Sequence, residues 1–385
     1  MKVLVVLTYY RPHTSGLTIY AERLARGLAT RGHEVTVLTS RFDPATPLEE
    51  VNGGVRIVRV PVFMRVSKGV IMPSFGWMAT RLTRETDVIS LHLPQFDAAG
   101  VALRGRLFGK PTTLTYHCDL SLPPGVLNRI AGPVVGLMNH LAALAAHRVI
   151  AYTDDFAAHS PFARRFSHKL EIIPPPVEII DTNAEGIAAF RNRHGLDGHG
   201  PVIGMAARLA AEKGVEVLLN ALPRILEVHP DARVLFAGQH QDVLGEDAYA
   251  RRLAPALERH RERWTFLGVV AVDEMAAFFS SLDAIVVPSL NSTESFGLVQ
   301  VEAMLCGTPS IASSLPGVRQ PVLQTGMGEV VPIGDSRGLA EAILRVAARR
   351  ADYIKPRAEI ERRFSTARTI DGYERLFERL RGAAS

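Results

Sequence analysis

SLNSTESFGLVQVEAMLCGTP, residues 289–309, is the stretch of sequence that decides the fold. It follows Ala284–Val287, an apolar run typical of a buried strand, which Pro288 ends. The pattern predicts a helix from Ser295 to Cys306, because the apolar residues recur at helical spacing until Gly307 and Pro309. A buried strand followed by a loop and a helix is the repeating unit of parallel α/β proteins.

Two carboxylates flank the predicted start of this helix. Glu294 precedes it, and Glu302 lies seven residues past Ser295, on nearly the same helix face and roughly 10 Å further along the axis. Amides at a helix start attract phosphate, and those expected to be free here belong to Phe296, Gly297 and Leu298. Hydroxyl-binding carboxylates on either side of an anion site suit a ligand with a sugar at each end and phosphate between them, which describes a nucleotide sugar.

The same glutamates have a plainer interpretation, since Glu is common at helix starts and a mid-helix Glu is usually solvated. The sequence context favours the functional interpretation. Glu294 and Glu302 lie within ESFGLVQVEAMLCGTPSIASSLPGV. This segment resembles the signature of the retaining glycosyltransferase family 4, also called glycosyl transferases group 1. The resemblance implies the GT-B fold, in which two Rossmann-like domains face each other across a cleft.

Length and composition predict a soluble globular protein of about two domains, since 385 residues contain 47% apolar and 22% charged side chains. Cys118 and Cys306 lie outside any metal-binding spacing, which indicates reduced thiols in a cytoplasmic protein. The apolar N-terminus fits a first buried strand better than a signal peptide. No apolar run is long enough to span a membrane as a helix.

The positive charge is concentrated in the first half. Residues 1–180 contain 20 Lys and Arg against 13 Asp and Glu, whereas residues 181–385 contain 24 against 26. No basic run is interleaved with aromatic residues, so nucleic acid is not an expected partner. An anionic membrane surface or a phosphate-bearing acceptor fits the surplus better, although an incidental Arg-rich surface would look the same. Apolar and basic residues mixed over Pro61–Arg84 predict either peripheral membrane contact through the N-terminal domain or a helix packed on its own sheet.

The alternation of strands and helices occurs twice. Strands at Lys2–Leu7 and Glu34–Ser40, with an amphipathic helix between them, predict an opening βαβ unit. The three prolines 174–176 form a stiff break. We therefore predict an N-terminal domain at 1–175, a second domain at 176–364 and a final helix within 365–385. The resemblance implies that the first domain binds the acceptor, the second binds the nucleotide sugar, and the final helix crosses back to the first.

Two cations follow the first strand of the second domain. Arg208 lies after the predicted strand Val202–Ala206, and Lys213 lies at the start of the next helix. The planar guanidinium of Arg208 and the ammonium group of Lys213 are spaced to hold one diphosphate from two sides. Taken alone, this spacing usually means surface charge, but it matches the diphosphate pair of the family.

Three further positions are predicted site residues. His117 directly follows the strand Pro111–Tyr116, and ligands of open parallel sheets lie beyond the carboxyl ends of strands. A lone His is more often structural, but TLTYHCD resembles the segment around the catalytic-site histidine of the family. The resemblance also identifies Gly16 as a residue of close approach to the ligand and Val270 as lying near the nucleotide base; Gly16 alone would fit a plain turn glycine.

The resemblance implies transfer of a hexose-type sugar, with retention, from a UDP- or GDP-sugar to a hydroxyl of a small-molecule or lipid-linked acceptor, for example in glycolipid or cell-envelope synthesis. Arg208, Lys213 and the amides of residues 296–298 would stabilise the leaving phosphate. Glu294 would bind the hexose, Glu302 the ribose and His117 the transferred sugar. No cofactor or metal is expected. The alternatives are a nucleotide-sugar epimerase or hydrolase of the same fold, and a non-catalytic nucleotide-sugar-binding subunit. The expected location is the cytoplasm, with contact at the inner face of the membrane.

Overall fold

The computed structural model of the protein describes residues 1–66, 69–119, 126–198 and 200–383. The chain divides into two compact units. Met1–Pro176 together with Ser365–Ser385 form the first, here called the N-terminal unit, and Val177–Phe364 form the C-terminal unit. The division falls at the end of the triple proline, one residue later than the predicted boundary.

Each unit contains a parallel β-sheet. The strands of the N-terminal unit are β1 (Lys2–Val6), β2 (Glu34–Arg41), β3 (Glu49–Asn52), β4 (Val55–Pro61), β5 (Met64–Val66), β6 (Gly69–Ile71), β7 (Val88–Leu93), β8 (Thr112–Tyr116), β9 (Arg148–Ala151) and β10 (Leu170–Ile172). The strands of the C-terminal unit are β11 (Val202–Ala206), β12 (Arg233–Ala237), β13 (Trp264–Gly268), β14 (Ala284–Val287), β15 (Ser310–Ser313) and β16 (Gly328–Val331).

The helices connect these strands. They are α1 (Gly16–Thr30), α2 (Phe75–Glu85), α3 (Ala98–Leu107), α4 (Val126–Ala145), α5 (Asp154–His159), α6 (Pro161–Arg165), α7 (Ala184–Arg193), α8 (Val215–Val228), α9 (Asp247–Arg259), α10 (Met275–Ser280), α11 (Leu298–Leu305), α12 (Gln320–Thr325), α13 (Ser336–Ala348), α14 (Arg350–Tyr353), α15 (Arg357–Arg363) and α16 (Thr366–Gly382).

Both sheets have the topology of Rossmann-like units. Within the described residues, the strand order is β10-β9-β8-β7-β1-β2-β4-β3 in the N-terminal unit and β13-β12-β11-β14-β15-β16 in the C-terminal unit. All neighbours pair in parallel except β3, which runs antiparallel to β4 at the edge. Every residue of β7, β8 and β14 is buried, as expected for parallel strands with helices on both faces. The predicted opening βαβ unit is confirmed by the parallel pairing of β1 and β2.

Two features of the N-terminal unit were not predicted. Residues 53–62 alternate as in a strand and contain β4, but the strand β3, which runs antiparallel to β4, was not predicted. The segment Pro61–Arg84 forms the hairpin β5–β6 followed by α2. Short edge strands with exposed side chains carry a weak apolar pattern, which explains why β3 was not predicted.

The last helix, α16, packs within the N-terminal unit. A Cβ on Gly27 of α1 would lie 2.6 Å from the side chain of Ile370 on α16, so the two helices approach closely there. The hydroxyl of Tyr373 lies 2.8 Å from that of Tyr20 on α1 and 2.6 Å from Oγ1 of Thr115 on β8. One fully buried hydroxyl therefore ties the last helix to the first helix and to the sheet.

We expect Tyr373→Phe to lower the free energy of unfolding by about 1–3 kcal/mol, because two buried hydroxyls lose their shared partner. Chemical denaturation measures this change. The matched control is Tyr353→Phe, whose hydroxyl bonds Glu329 at 2.6 Å in a partly exposed position. Equal effects of the two substitutions would show that the Tyr373 hydroxyl does not stabilise the unit.

Candidate functional site

Two loops of the C-terminal unit meet at the carboxyl end of its sheet. One comprises residues 207–214, after β11, and the other comprises residues 288–297, after β14. The loops are adjacent because β11 and β14 pair directly. The amide of Leu290 donates to the carbonyl oxygen of Glu212 at 2.9 Å, which joins the two loops by their backbones.

A glycine allows the closest approach of the two loops. Gly214 has φ +69°, and a Cβ at this position would lie 2.2 Å from the carbonyl oxygen of Pro288. Only glycine tolerates both the left-handed backbone and this proximity. The approach places Lys213, the neighbour of Gly214, beside Glu294, with Nζ 2.5 Å from Oε2. Two of the predicted site residues therefore form a direct ion pair.

The carboxylate of Glu294 is held from two sides. Its Oε2 atom pairs with Lys213, and its Oε1 atom accepts a hydrogen bond from the amide of Gly297 at 3.0 Å. The other predicted diphosphate ligand, Arg208, pairs with Glu212 at 3.3 Å. Both predicted cations thus bond carboxylates of their own unit.

A small hollow of about 20 Å³, partly open to solvent, lies beside the Lys213–Glu294 pair. Pockets that enclose a whole small ligand measure roughly 300–1,000 Å³, so this hollow has room for about one small polar group or one water molecule. The residues that line it are Met205, Ala206, Ala207, Lys213, Val286, Val287, Pro288, Ser289, Glu294 and Val299.

The predicted start of the helix after Glu294 is wrong. The helix, α11, begins at Leu298 and not at Ser295, because Gly297 adopts a left-handed conformation with φ +76° and ψ 71°. The helical spacing assumed between Ser295 and Glu302 therefore does not exist. The amide of Gly297 is not free either, since it donates to Glu294. The loop thus binds its own carboxylate at the position where the sequence predicted an open anion site.

The 288–297 loop is anchored by side chains of the core. Phe296 is buried and meets the ring of Phe364 edge-on, with centroids 5.6 Å apart. Gln300 donates from Nε2 to the carbonyl oxygens of Phe296 and Val318, both at 2.9 Å, and accepts from the hydroxyl of Ser310 at 3.1 Å. Gln300 was not predicted, although a single amide side chain in the apolar helix LVQVEAML could have indicated a buried hydrogen-bonding residue.

Ser289 is a second residue that the sequence analysis missed. Its side chain is 1% exposed and it lines the hollow, yet its Oγ atom has no hydrogen-bond partner. The backbone of Ser289 is fixed by the hydroxyl of Ser313, which donates to its carbonyl oxygen at 2.7 Å. An unpaired buried hydroxyl costs about 1–3 kcal/mol.

The remaining predicted donor-site residues lie at other positions in the two units. Leu298 is the first residue of α11, and Glu302, 7% exposed, lies further along the same helix. Val270 follows β13 and packs against an apolar cluster of the C-terminal unit. Gly16 belongs to the N-terminal unit, where it is the first residue of α1; apart from its chain neighbours and the first turn of α1, no atom of the described residues lies within 4 Å of the position of a Cβ. Packing within the unit therefore does not require glycine at position 16.

His117 lies in a buried polar network of the N-terminal unit. It is 5% exposed, its Nε2 atom lies 2.9 Å from Nδ1 of His92, and its Nδ1 atom is hydrogen-bonded to the hydroxyl of Tyr152. The ring of Tyr20 meets the His117 ring edge-on at 4.9 Å. Both ring nitrogens of His117 are thus engaged inside the unit.

Burial keeps both histidines neutral. It lowers the pKa of His92 from 6.5 to about 3 and holds the pKa of His117 well below its usual value, with a further contribution from His92. The sequence analysis did not identify His92 or Tyr152. Each lies at or just beyond the end of an apolar strand next to β8, and polar residues at neighbouring strand ends were the available signal.

Among the residues that the structure describes, no group of three or more His, Cys, Asp or Glu side chains could hold a metal ion. Over the same residues, no helix is both long enough and apolar enough to cross a membrane.

Acidification from pH 7 to pH 5 should destabilise the protein through His92. Burial lowers the pKa of His92 in the folded protein, so below pH 6.5 the unfolded protein binds a proton at His92 more readily than the folded protein does. The contribution of neutral His92 to the free energy of unfolding is therefore complete above the unfolded pKa of 6.5 and is lost as the pH falls towards about 3. At pH 5 the loss amounts to about 2 kcal/mol for one such histidine. Denaturation of wild type, His92→Gln and the exposed control His168→Gln at both pH values measures it. The expected result is a smaller pH dependence in His92→Gln alone; identical pH dependence in all three proteins would refute the assignment.

Ser289→Ala should leave the ligand-free protein as stable as wild type or stabilise it, because it removes a buried hydroxyl that has no partner. Ser313→Ala is the matched variant. It should lower the free energy of unfolding by about 1–3 kcal/mol, since it leaves the buried Ser289 carbonyl without its donor. If Ser289→Ala were as destabilising as Ser313→Ala, the Ser289 hydroxyl would have an internal role.

Comparison with known proteins identifies the family. Residues 14–180 match the family described as Glycosyltransferase Family 4, and residues 200–349 match Glycosyl transferases group 1. The phosphatidyl-myo-inositol mannosyltransferase of Mycobacterium leprae is 27% identical over 391 residues, covering 98% of this chain and 96% of that protein. The D-inositol 3-phosphate glycosyltransferase of Xylanimonas cellulosilytica is 28% identical over 398 residues, covering 94% and 92%.

A solved structure supports the fold assignment. HepE of Anabaena, determined in complex with UDP and glucose, superposes with a TM-score of 0.77 at 18% identity and covers 98% of this chain and 99% of that chain. The family and the fold predicted from the sequence are both confirmed. The chain is a glycosyltransferase that belongs to family 4, the glycosyl transferases group 1, and its two Rossmann-like units are those of the GT-B fold.

Proposed function

We propose that the enzyme transfers a hexose-type sugar from a nucleoside-diphosphate sugar to an acceptor hydroxyl, with retention at the anomeric carbon. The observation that carries the proposal is the Lys213–Glu294 pair beside the hollow. An ammonium group suits a phosphate oxygen, and a carboxylate suits sugar hydroxyls. The pair therefore offers both kinds of contact at the junction between the diphosphate and the sugar.

Donor binding would exchange internal ion pairs for ligand contacts. The diphosphate would compete with Glu294 for Lys213 and with Glu212 for Arg208. Once Lys213 bonds phosphate, the Glu294 oxygen that faced it can accept hydrogen bonds from the hexose. The carboxylate stays oriented because its other oxygen remains bonded to the Gly297 amide. UDP and GDP are the proposed nucleotides, and the complex of HepE with UDP and glucose supports this class of donor.

The other contacts to the donor follow from the resemblance to the family. We assign the ribose hydroxyls to Glu302 and the base to the backbone near Val270. The loop at Phe296 and the start of α11 at Leu298 would face the phosphate, where the helix dipole favours negative charge. Gly16 would allow close approach of a ligand, consistent with the open space around it.

The bottleneck of the transfer is the build-up of negative charge on the leaving phosphate and positive charge on the sugar ring. Arg208 and Lys213 would stabilise the negative charge on the leaving phosphate, because their N–H donors are in place before the reaction. The leaving phosphate oxygen would take the proton of the acceptor hydroxyl. His117 would contact the transferred sugar as a neutral ring, since both of its nitrogens are already bonded within the N-terminal unit. These steps use groups of the chain and the donor alone.

We assign the acceptor to the N-terminal unit and infer a small-molecule or lipid-linked hydroxyl, with the enzyme in the cytoplasm or at the inner face of a membrane. The named relatives act on phosphatidyl-myo-inositol and D-inositol 3-phosphate, which are both phosphate-bearing polyols. The surplus of basic residues over positions 1–180 suits a phosphate-bearing acceptor or an anionic membrane surface.

Glu294→Ala should lower turnover by on the order of 100-fold or more, because contacts that strengthen in the transition state are lost. The assay is release of nucleoside diphosphate from a panel of UDP-, GDP- and ADP-sugars, with and without lipid extract. Glu258→Ala is the control, since Glu258 is exposed on α9 and pairs with Arg261 at the surface.

Near-normal turnover by Glu294→Ala would show that its role is misassigned. Conversion of the donor without any acceptor would favour the epimerase or hydrolase alternative. Binding of the donor without turnover under every condition would favour the non-catalytic subunit.

A further inference from the structure

The second half of α4 presents an apolar face to solvent. Val134, Leu137, Leu141 and Leu144 are between 39% and 56% exposed. Their spacing of three and four residues places them in one stripe along the helix. Pro133, just before Val134, and Gly136 are also exposed, and residues 133–144 contain no charged side chain. Single exposed apolar residues are ordinary on protein surfaces, but a continuous stripe is not.

Exposed apolar residues continue onto α3, which packs against α4, and onto α2, which packs against α3. Leu103 and Leu107 on α3 are 64% and 74% exposed, and Trp77 on α2 is 65% exposed. Arg106 of α3 donates to the carbonyl oxygen of Ala145 at 2.6 Å, and Arg104 of α3 donates to Oγ1 of Thr80 on α2 at 2.8 Å. These bonds align the three helices in one layer. The exposed apolar residues of this layer, here called the α2–α4 face, are Trp77, Leu103, Leu107, Val134, Leu137, Leu141 and Leu144.

The charges on and around the α2–α4 face are mainly positive. The sequences of α3 and α4 contain no Asp or Glu and contain three arginines. Lys169 lies at the end of α4, where its Nζ atom donates to the carbonyl oxygens of Leu144 and Ala146 at 3.2 and 3.0 Å. The nearby carboxylates of Glu85 and Glu171 are paired with Arg81 and Arg148. An approaching anionic surface therefore meets arginine and lysine around an apolar centre.

This pattern favours a lipid bilayer over a protein partner. The inner leaflet of a membrane offers anionic headgroups over an apolar interior, which matches both the basic surroundings and the apolar centre of the face. An amphipathic helix without acidic residues on its apolar side lies in that interface with its apolar face buried and its basic groups at the headgroups. No described helix could instead cross the membrane.

We propose that the α2–α4 face docks the enzyme on an anionic lipid bilayer, with the apolar side chains of α3 and α4 inserted at the headgroup boundary. The proposal deepens the proposed function, on which it rests for a membrane-borne acceptor. It identifies the surface of the N-terminal unit that reaches such an acceptor. The predicted membrane segment Pro61–Arg84 contributes Trp77 to this surface, and most of the apolar area comes from α3 and α4.

The test is co-sedimentation with vesicles of phosphatidylcholine, with and without phosphatidylglycerol. Wild type should bind the anionic vesicles more tightly, and added salt should weaken binding. Leu137→Glu/Leu141→Glu should weaken binding about tenfold or more, because each substitution replaces an inserted side chain with a charge. The control is Val51→Glu, 73% exposed on the edge strand β3, and it should bind as wild type does.

Three outcomes would overturn the proposal: no binding of wild type to anionic vesicles, equal binding by the double variant, or a wild-type dimer in light scattering that the double variant converts to monomer. The last would assign the face to a second copy of the chain. Calorimetry with UDP and GDP on the same proteins separates the two proposals. If the double variant loses vesicle binding but still binds nucleotide, the docking face is supported. If wild type binds neither nucleotide, the proposed function is contradicted, and the docking face is still tested by the vesicle experiment.

Discussion

The backbone contact between Gly214 and Pro288 is the constraint on which the candidate site depends. It brings two loops from neighbouring parallel strands so close that Lys213 and Glu294 form an ion pair. The Lys213–Glu294 pair and the Gly297 amide are held in place by the fold, so the proposed binding of the donor would need little reorganisation. Such preorganised charges are the usual source of catalytic stabilisation. A side chain at position 214 would force the loops apart and separate the pair.

The two units share a fold but present different chemistry. The C-terminal unit holds charged groups that bond each other, Lys213 with Glu294 beside the hollow and Arg208 with Glu212. The N-terminal unit holds a buried network of neutral groups, in which His117 bonds His92 and Tyr152. In the proposed reaction, the charged groups bind the diphosphate and the neutral ring contacts the sugar. The hydroxyl of Tyr373 links the last helix to this unit, so residues far apart in sequence support the same network.

Features set by local pattern were predictable from the sequence, and features set by tertiary contacts were not. Apolar runs placed strands such as β11 and β14 at or near their observed bounds, and the motif around Glu294 identified the family. The start of α11 was misplaced because the left-handed Gly297 depends on its bond to Glu294. Gln300 and His92 were missed because their importance comes from partners that only the fold brings near. The pairing of Lys213 with Glu294 was likewise invisible, since 81 residues separate them.

The central claim is that Lys213, held beside Glu294, binds the diphosphate of the donor. Titration calorimetry of wild type and Lys213→Met with UDP and with GDP tests it most directly. Lys110→Met, in the N-terminal unit, is the control. The account predicts that wild type binds at least one of the two nucleotides, that Lys110→Met binds it equally well, and that Lys213→Met binds it about tenfold or more weakly, because a charge-assisted bond to phosphate is lost. Unchanged affinity in Lys213→Met, or no binding of either nucleotide to wild type, would contradict it.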